Sequence, residues 1–144
     1  VLLIEANGRT PALASLFGLS EPVGLPRQMA RRQTALVPWT AWDIAGTGLS
    51  VIPADPQDAI GPSRATFRTA TEDLREVYDY IVVDSPSALD SADVMALIDP
   101  VDAIVLAARA KKTRARELER TRDQLAPGEV LGVVLLDIQE AARS

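Results

Sequence analysis

Five aliphatic runs decide most of what this chain can become. VLLI (1–4), LSVIP (49–53), YIVVD (80–84), AIVLAA (103–108) and VLGVVLL (130–136) are continuous, not alternating. A strand with one face in water needs a polar residue at every second position, so runs of this kind predict strands covered on both faces. VLLI and YIVVD carry no charge before their terminal acids. They are expected among the inner strands, with Val82 and Val83 out of solvent.

Helical spacing fills the gaps between runs. PALASLFGL (11–19) begins with a proline suited to a first helical turn and ends near Gly18. SRATFRTATEDLREVYD (63–79) places Phe67, Ala70, Leu74 and Val77 on one face. SADVMALI (91–98) has a Ser/Asp start, and TRARELERTRDQLA (113–126) follows the fourth strand. Strands alternating with helices predict an α/β domain: a mostly parallel sheet, right-handed crossovers and helices on both faces in three layers. At 144 residues the chain makes a single domain, 1–144. Residues 20–48 break the alternation with Pro22, Pro26, Pro38 and two tryptophans. They read as a short helix around 26–32 and an irregular excursion, with Trp39 and Trp42 capping the core or forming a contact patch, capping being favoured.

The chain has no cysteine and no histidine, so chemistry falls to carboxylates, hydroxyls, Arg and Lys. Its net charge of −5 speaks against a general nucleic-acid surface. The basic stretch RAKKTRAR (109–116) reads as a solvated helix face. No run approaches the roughly 20 apolar residues of a membrane span, so a cytoplasmic domain without membrane insertion is expected.

Ligands of an open parallel sheet bind outside the carboxyl ends of the strands. Two acids stand there, Glu5 after VLLI and Asp84 after YIVV. An aspartate ending an apolar strand before Ser-Pro can hold Mg²⁺ through water, or can simply cap the turn that follows; the pattern leaves both open. A phosphate cradle is absent from these residues. No G-x-x-x-x-G-K-[ST] and no G-x-G-x-x-G occurs, and GTG (46–48) precedes a strand, which makes it a turn.

In order and spacing these segments resemble the cytoplasmic domain of bacterial tyrosine kinases, P-loop proteins of the MinD/ParA group that partner chain-length regulators in capsule and exopolysaccharide export. VLLIEANGRTPALASLFGL resembles the family's second acidic motif, usually VLLIDADLRRPSLHRLFGL. GLSVIPAD (48–55) resembles GLDVLPAG. YDYIVVDSPSAL resembles the Walker B strand YDYVIIDTPPVL, continuing to a stretch like VRAGKT, and LGVVLLD (131–137) resembles the late GVVLN strand. The resemblance implies ATP and Mg²⁺ as cofactors, catalytic and metal roles at Glu5 and Asp84, and nucleotide contacts at Arg9, Ser85 and Arg109.

Several functional positions depart from that pattern. The two motif aspartates are Glu5 and Asn7, the glycine of VRAGKT is Lys111, and the asparagine of the last strand is Leu136. Pro86-Ser87 replaces Pro-Pro after Asp84. The family's tyrosine-rich tail has no counterpart; Tyr78 and Tyr80 are the only tyrosines. The expected function is therefore a degenerate, non-catalytic regulatory or binding module in polysaccharide export, binding no cofactor as this chain alone. Its partner would be a membrane chain-length regulator or the export machinery at the inner membrane face, with homo-oligomers open. Two alternatives stand beside it. One is an active kinase whose P-loop lies upstream of residue 1; the other is a MinD/ParA-like assembly ATPase, which the RTPALASLFGL helix disfavours. The missing P-loop strand fits a piece of a longer protein better than a natural loss, and should leave an unpaired strand edge.

Overall fold

The computed structural model describes residues 1–35, 37–58 and 60–137. Among them the aliphatic runs become β1 (Leu2–Glu5), β3 (Leu49–Ile52), β4 (Ile81–Asp84), β5 (Ile104–Arg109) and β6 (Val130–Leu136). The helical segments become α1 (Leu13–Leu16), α2 (Leu25–Ala35), α3 (Arg64–Leu74), α4 (Met95–Ile98, entered through a 3₁₀ turn) and α5 (Ala115–Gln124). The fold is α/β and mostly parallel, as the alternation predicts.

Side-chain chemistry sets the helix ends. Ser63 caps α3 by accepting from the Thr66 N–H at 3.2 Å, and Ser91 accepts from the Asp93 N–H at 3.1 Å ahead of α4. α1 is a single turn, shorter than its pattern, closed by Gly18 in the left-handed region at φ 63°. Phe67, Ala70 and Leu74 of α3 pack with Leu25 and Leu97 on Leu2, Ile4 and Ile52 of the sheet. Val77 does not join them. It lies past the end of α3 and is 73% exposed, because the helical period stops at Leu74.

The strands form two sheets. One has the order β2-β3-β1-β4, parallel across β3-β1-β4; the other pairs β5 with β6 in parallel. β1 is an inner strand, as expected. β4 is not. It is an edge among the described residues, and Val82 is 54% exposed while Val83 is half-buried. Apolar continuity shows that a strand is built to be covered, and says nothing of whether its neighbour is present. β6 shows the same mismatch, with Leu131, Val133, Val134, Leu135 and Leu136 all exposed.

The excursion at 20–48 is more regular than its composition suggests. α2 is longer than the expected helix, and β2 (Trp42–Ile44) pairs antiparallel with β3 through a hairpin whose turn holds Gly46 and Gly48 at positive φ. Trp39 is half-buried on the main core, the capping role expected of it. Its indole N–H donates to Asp73 of α3 at 2.8 Å, and the Arg32 guanidinium lies 4.6 Å above its ring. RAKKTRAR is no helix face: it runs from the end of β5 through a turn into α5. Among the described residues no helix is long and apolar enough to cross a membrane.

Candidate functional site

Parallel pairing in register brings the carboxyl ends of β1, β3 and β4 together, with Glu5 beside Asp84 and Ile4 between Ile52 and Val83. The two acids of the sequence reading are thus true neighbours. Their environments are opposite.

Glu5 is 3% exposed and its carboxylate is fully engaged. Oε1 accepts from the N–H groups of Ala12 at 2.6 Å and Leu13 at 3.1 Å, at the start of α1. Oε2 accepts from the Ala54 N–H at 2.9 Å, just past β3. Three backbone donors that the turn of α1 and the end of β3 leave unpaired are met by one side chain. The space above is filled by backbone. A Cβ on Gly61 would lie 2.5 Å from the Ala6 carbonyl oxygen, and one on Gly8 would lie 2.7 Å from the Asp58 carbonyl oxygen. Only glycine permits the β1 and β3 loops to close on each other this tightly.

Asp84 faces the open side. It is exposed, and among the described residues its carboxylate meets no donor. Partial desolvation, and secondly the Glu5 charge beside it, push its pKa above the ordinary aspartate value. Asn7 is spent within its own loop, donating to Thr10 Oγ1 at 2.8 Å and accepting from the Thr10 N–H at 3.4 Å. Arg9 reaches Asp93 at 3.6 Å, Arg109 reaches Asp137 at 3.6 Å, and the Ser85 hydroxyl donates to the Pro86 carbonyl at 3.2 Å. Of the six residues singled out from the sequence, Glu5, Asn7, Arg9, Asp84, Ser85 and Arg109, the strand pairing brings together Glu5 and Asp84.

These donors do not fit a carboxylate pair holding Mg²⁺. Glu5 has both oxygens engaged, Asn7 is neutral and turned onto Thr10, and Asp84 alone offers a free carboxylate. Among the described residues no cluster of three or more His, Cys, Asp or Glu could hold a metal ion.

A second acidic pair, Asp55 and Asp58, lies at the same sheet edge and is not among the residues singled out from the sequence. Asp55, 3% exposed, follows β3, has Oδ2 2.9 Å from Arg27 of α2, and accepts from the Gln57 N–H at 2.8 Å. Burial, and then the nearby Asp55, raise the pKa of Asp58 against the opposing pull of Arg27. The signal was present in PADPQD, two acids directly after a buried strand.

No family model matches the chain. Its sequence is 29% identical to the tyrosine-protein kinase ptk of Acinetobacter johnsonii over 99% of this chain and 20% of that protein. It is 27% identical to the putative tyrosine-protein kinase CapB of Staphylococcus aureus over 93% of this chain and 60% of that protein. The chain thus spans a fifth and three fifths of these two relatives. In structure it matches the VpsO kinase domain with a TM-score of 0.76 and 25% identity, covering 96% of this chain and 70% of that one. The fold extends to MinD of Aquifex aeolicus at a TM-score of 0.68 and 20% identity, over 96% of this chain and 56% of that one. Nearly the whole chain is thus similar to bacterial tyrosine-kinase domains, and it shares its α/β fold with MinD.

Proposed function

We propose that this domain is a degenerate relative of the bacterial tyrosine kinases, serving as a non-catalytic regulatory or binding module in capsule or exopolysaccharide production. One observation carries the reading above the others. The acidic motif has no carboxylate to spare, because Glu5 is consumed by the N–H groups of Ala12, Leu13 and Ala54 and Asn7 carries no charge. A site that activates a hydroxyl needs a free base within reach of it. Asp84 supplies one carboxylate and no partner. The kinase names of ptk and CapB support the family setting. By analogy with that setting, the partner is a membrane chain-length regulator or the export machinery, at the cytoplasmic face.

The test is autophosphorylation by the full gene product that contains this domain. The expected outcome is a negligible signal in the wild type and a rise in Asn7→Asp, provided a tyrosine lies within reach. Loss of one acid–base or electrostatic group typically costs about 10²–10⁴ in rate, which sets the scale of the rise. Adding Asp84→Asn should abolish the gain. Brisk phosphorylation with Asn7 in place would instead favour the active-kinase reading.

A further inference from the structure

α5 carries no buried residue anywhere along Ala115–Gln124. Its inward side is marked by Leu118 and Thr121, which line a cavity beneath it, and by Leu125, just past its end, which packs with Ile98 and Leu106. At about 3.6 residues per turn, Arg116, Glu119, Arg120 and Asp123 fall together on the opposite side, and all four are exposed. They make a stripe of charge that runs plus, minus, plus, minus. Among the described residues the side chains of Arg116, Glu119 and Arg120 make no hydrogen bond or ion pair, and Asp123 meets only Arg122, its neighbour in sequence, at 3.0 Å. Within the helix, like charges four apart (Arg116 with Arg120, Glu119 with Asp123) cancel what opposite charges three apart could give. The stripe does little for α5 itself.

Read backwards, the stripe is its own complement. A two-fold axis passing between positions 119 and 120 sets Arg116 opposite Asp123 and Glu119 opposite Arg120, each pair occurring twice. We infer that the outer face of α5 is a self-association surface, covered by α5 of a second copy of this chain running antiparallel. Charge complementarity names that occupant. An anionic surface such as nucleic acid or acidic lipid would meet Glu119 and Asp123 standing among the arginines, and a parallel copy would set like charge on like. A contact between identical patches closes at two copies and does not grow further. Exposed ion pairs are individually weak and are screened by salt, so the dimer is weak, dissociating at about 10⁻⁵ M or above even at low ionic strength. The inference does not depend on whether the site at Asp84 is catalytic.

Sedimentation equilibrium of the full gene product at low ionic strength tests it. Glu119→Arg and Arg120→Glu each set like charges across the axis twice, so each variant alone should dissociate at least about tenfold more readily than the wild type. Mixed together, the two variants should associate about as tightly as the wild type, because every pair across the axis is again opposite in sign. The double variant Glu119→Arg/Arg120→Glu should recover in the same way, which also shows that the single changes leave the fold intact. Equal association of the wild type, each single variant and their mixture would overturn the inference. So would a mixture no tighter than its parts, which assigns the helix face to another partner or to solvent. A wild type that stays monomeric up to about 1 mM, well above the expected dissociation constant, would overturn it as well.

Discussion

Glu5 and Asp84 show how neighbouring acids on paired strands acquire different work. Glu5 is a buried clasp for three backbone donors, so Glu5→Gln should be costly although it keeps the shape. The amide has one accepting oxygen where the carboxylate has two, leaving a buried N–H without a partner. The expected loss is about 1–3 kcal/mol, read from urea unfolding. Asp84 is the reverse case. Its folded pKa lies above the unfolded value of 3.8, so the fold favours the protonated form. Its contribution to stability is therefore greatest below pH 3.8 and is lost as pH rises through the folded value. Asp84→Asn should stabilise the protein at pH 7, by less than about 1 kcal/mol given solvent screening, with the gain vanishing below pH 4. A gain that persisted at acid pH would contradict this origin. Both acids were legible in the sequence as the last residues of apolar strands. What each carboxylate does was not legible, because the donors on Glu5 come from residues 7, 8 and 49 positions away.

Continuous apolar runs revealed β1, β3, β4, β5 and β6, since burial of both faces leaves its mark in every residue of a strand. β2 left no such mark: Trp42, Asp43 and Ile44 are too few to show a period, and their pairing depends on the glycine turn and the Ser50–Asp43 bond of 2.6 Å. Beyond the packing of Leu25 and Trp39 on the core, the hydrogen bonds from the excursion to α3 converge, among the described residues, on one side chain. Asp73 Oδ2 accepts from Arg32 at 2.6 Å and from the Trp39 indole at 2.8 Å. Removing that acceptor frees two donors at once. Asp73→Ala should cost about 1–2 kcal/mol, the range of charge-assisted hydrogen bonds at a half-exposed position. In a Trp42→Phe background it should also shift Trp39 emission to the red. A destabilisation without the spectral change would show that the excursion is anchored elsewhere.

Across the whole molecule, the parallel α/β architecture, the shared sheet edge and an unpaired strand edge were readable from segment order, and the place of β4 at that edge was not. Edge and inner strands differ in their neighbours, and YIVVD reads alike in both settings. The carboxyl edge is closed on its β1–β3 side, where glycines 8 and 61 let two loops meet, and open on its β4–β5 side. Among the described residues neither side presents a backbone nest for phosphates, and the sequence holds no glycine-rich phosphate motif, so the 144-residue chain should bind ATP–Mg²⁺ no more tightly than about millimolar, roughly −4 kcal/mol. Titration calorimetry giving micromolar affinity would refute this. The exposed face of β6 carries a different consequence, one of handling and fate. VLGVVLL is seven residues without charge or proline, half in water along one margin of the molecule. Segments of that composition template cross-β stacking between chains. Left without a cover, this margin makes self-association into insoluble fibres the chief competitor of the native fold, and dilution the simplest remedy.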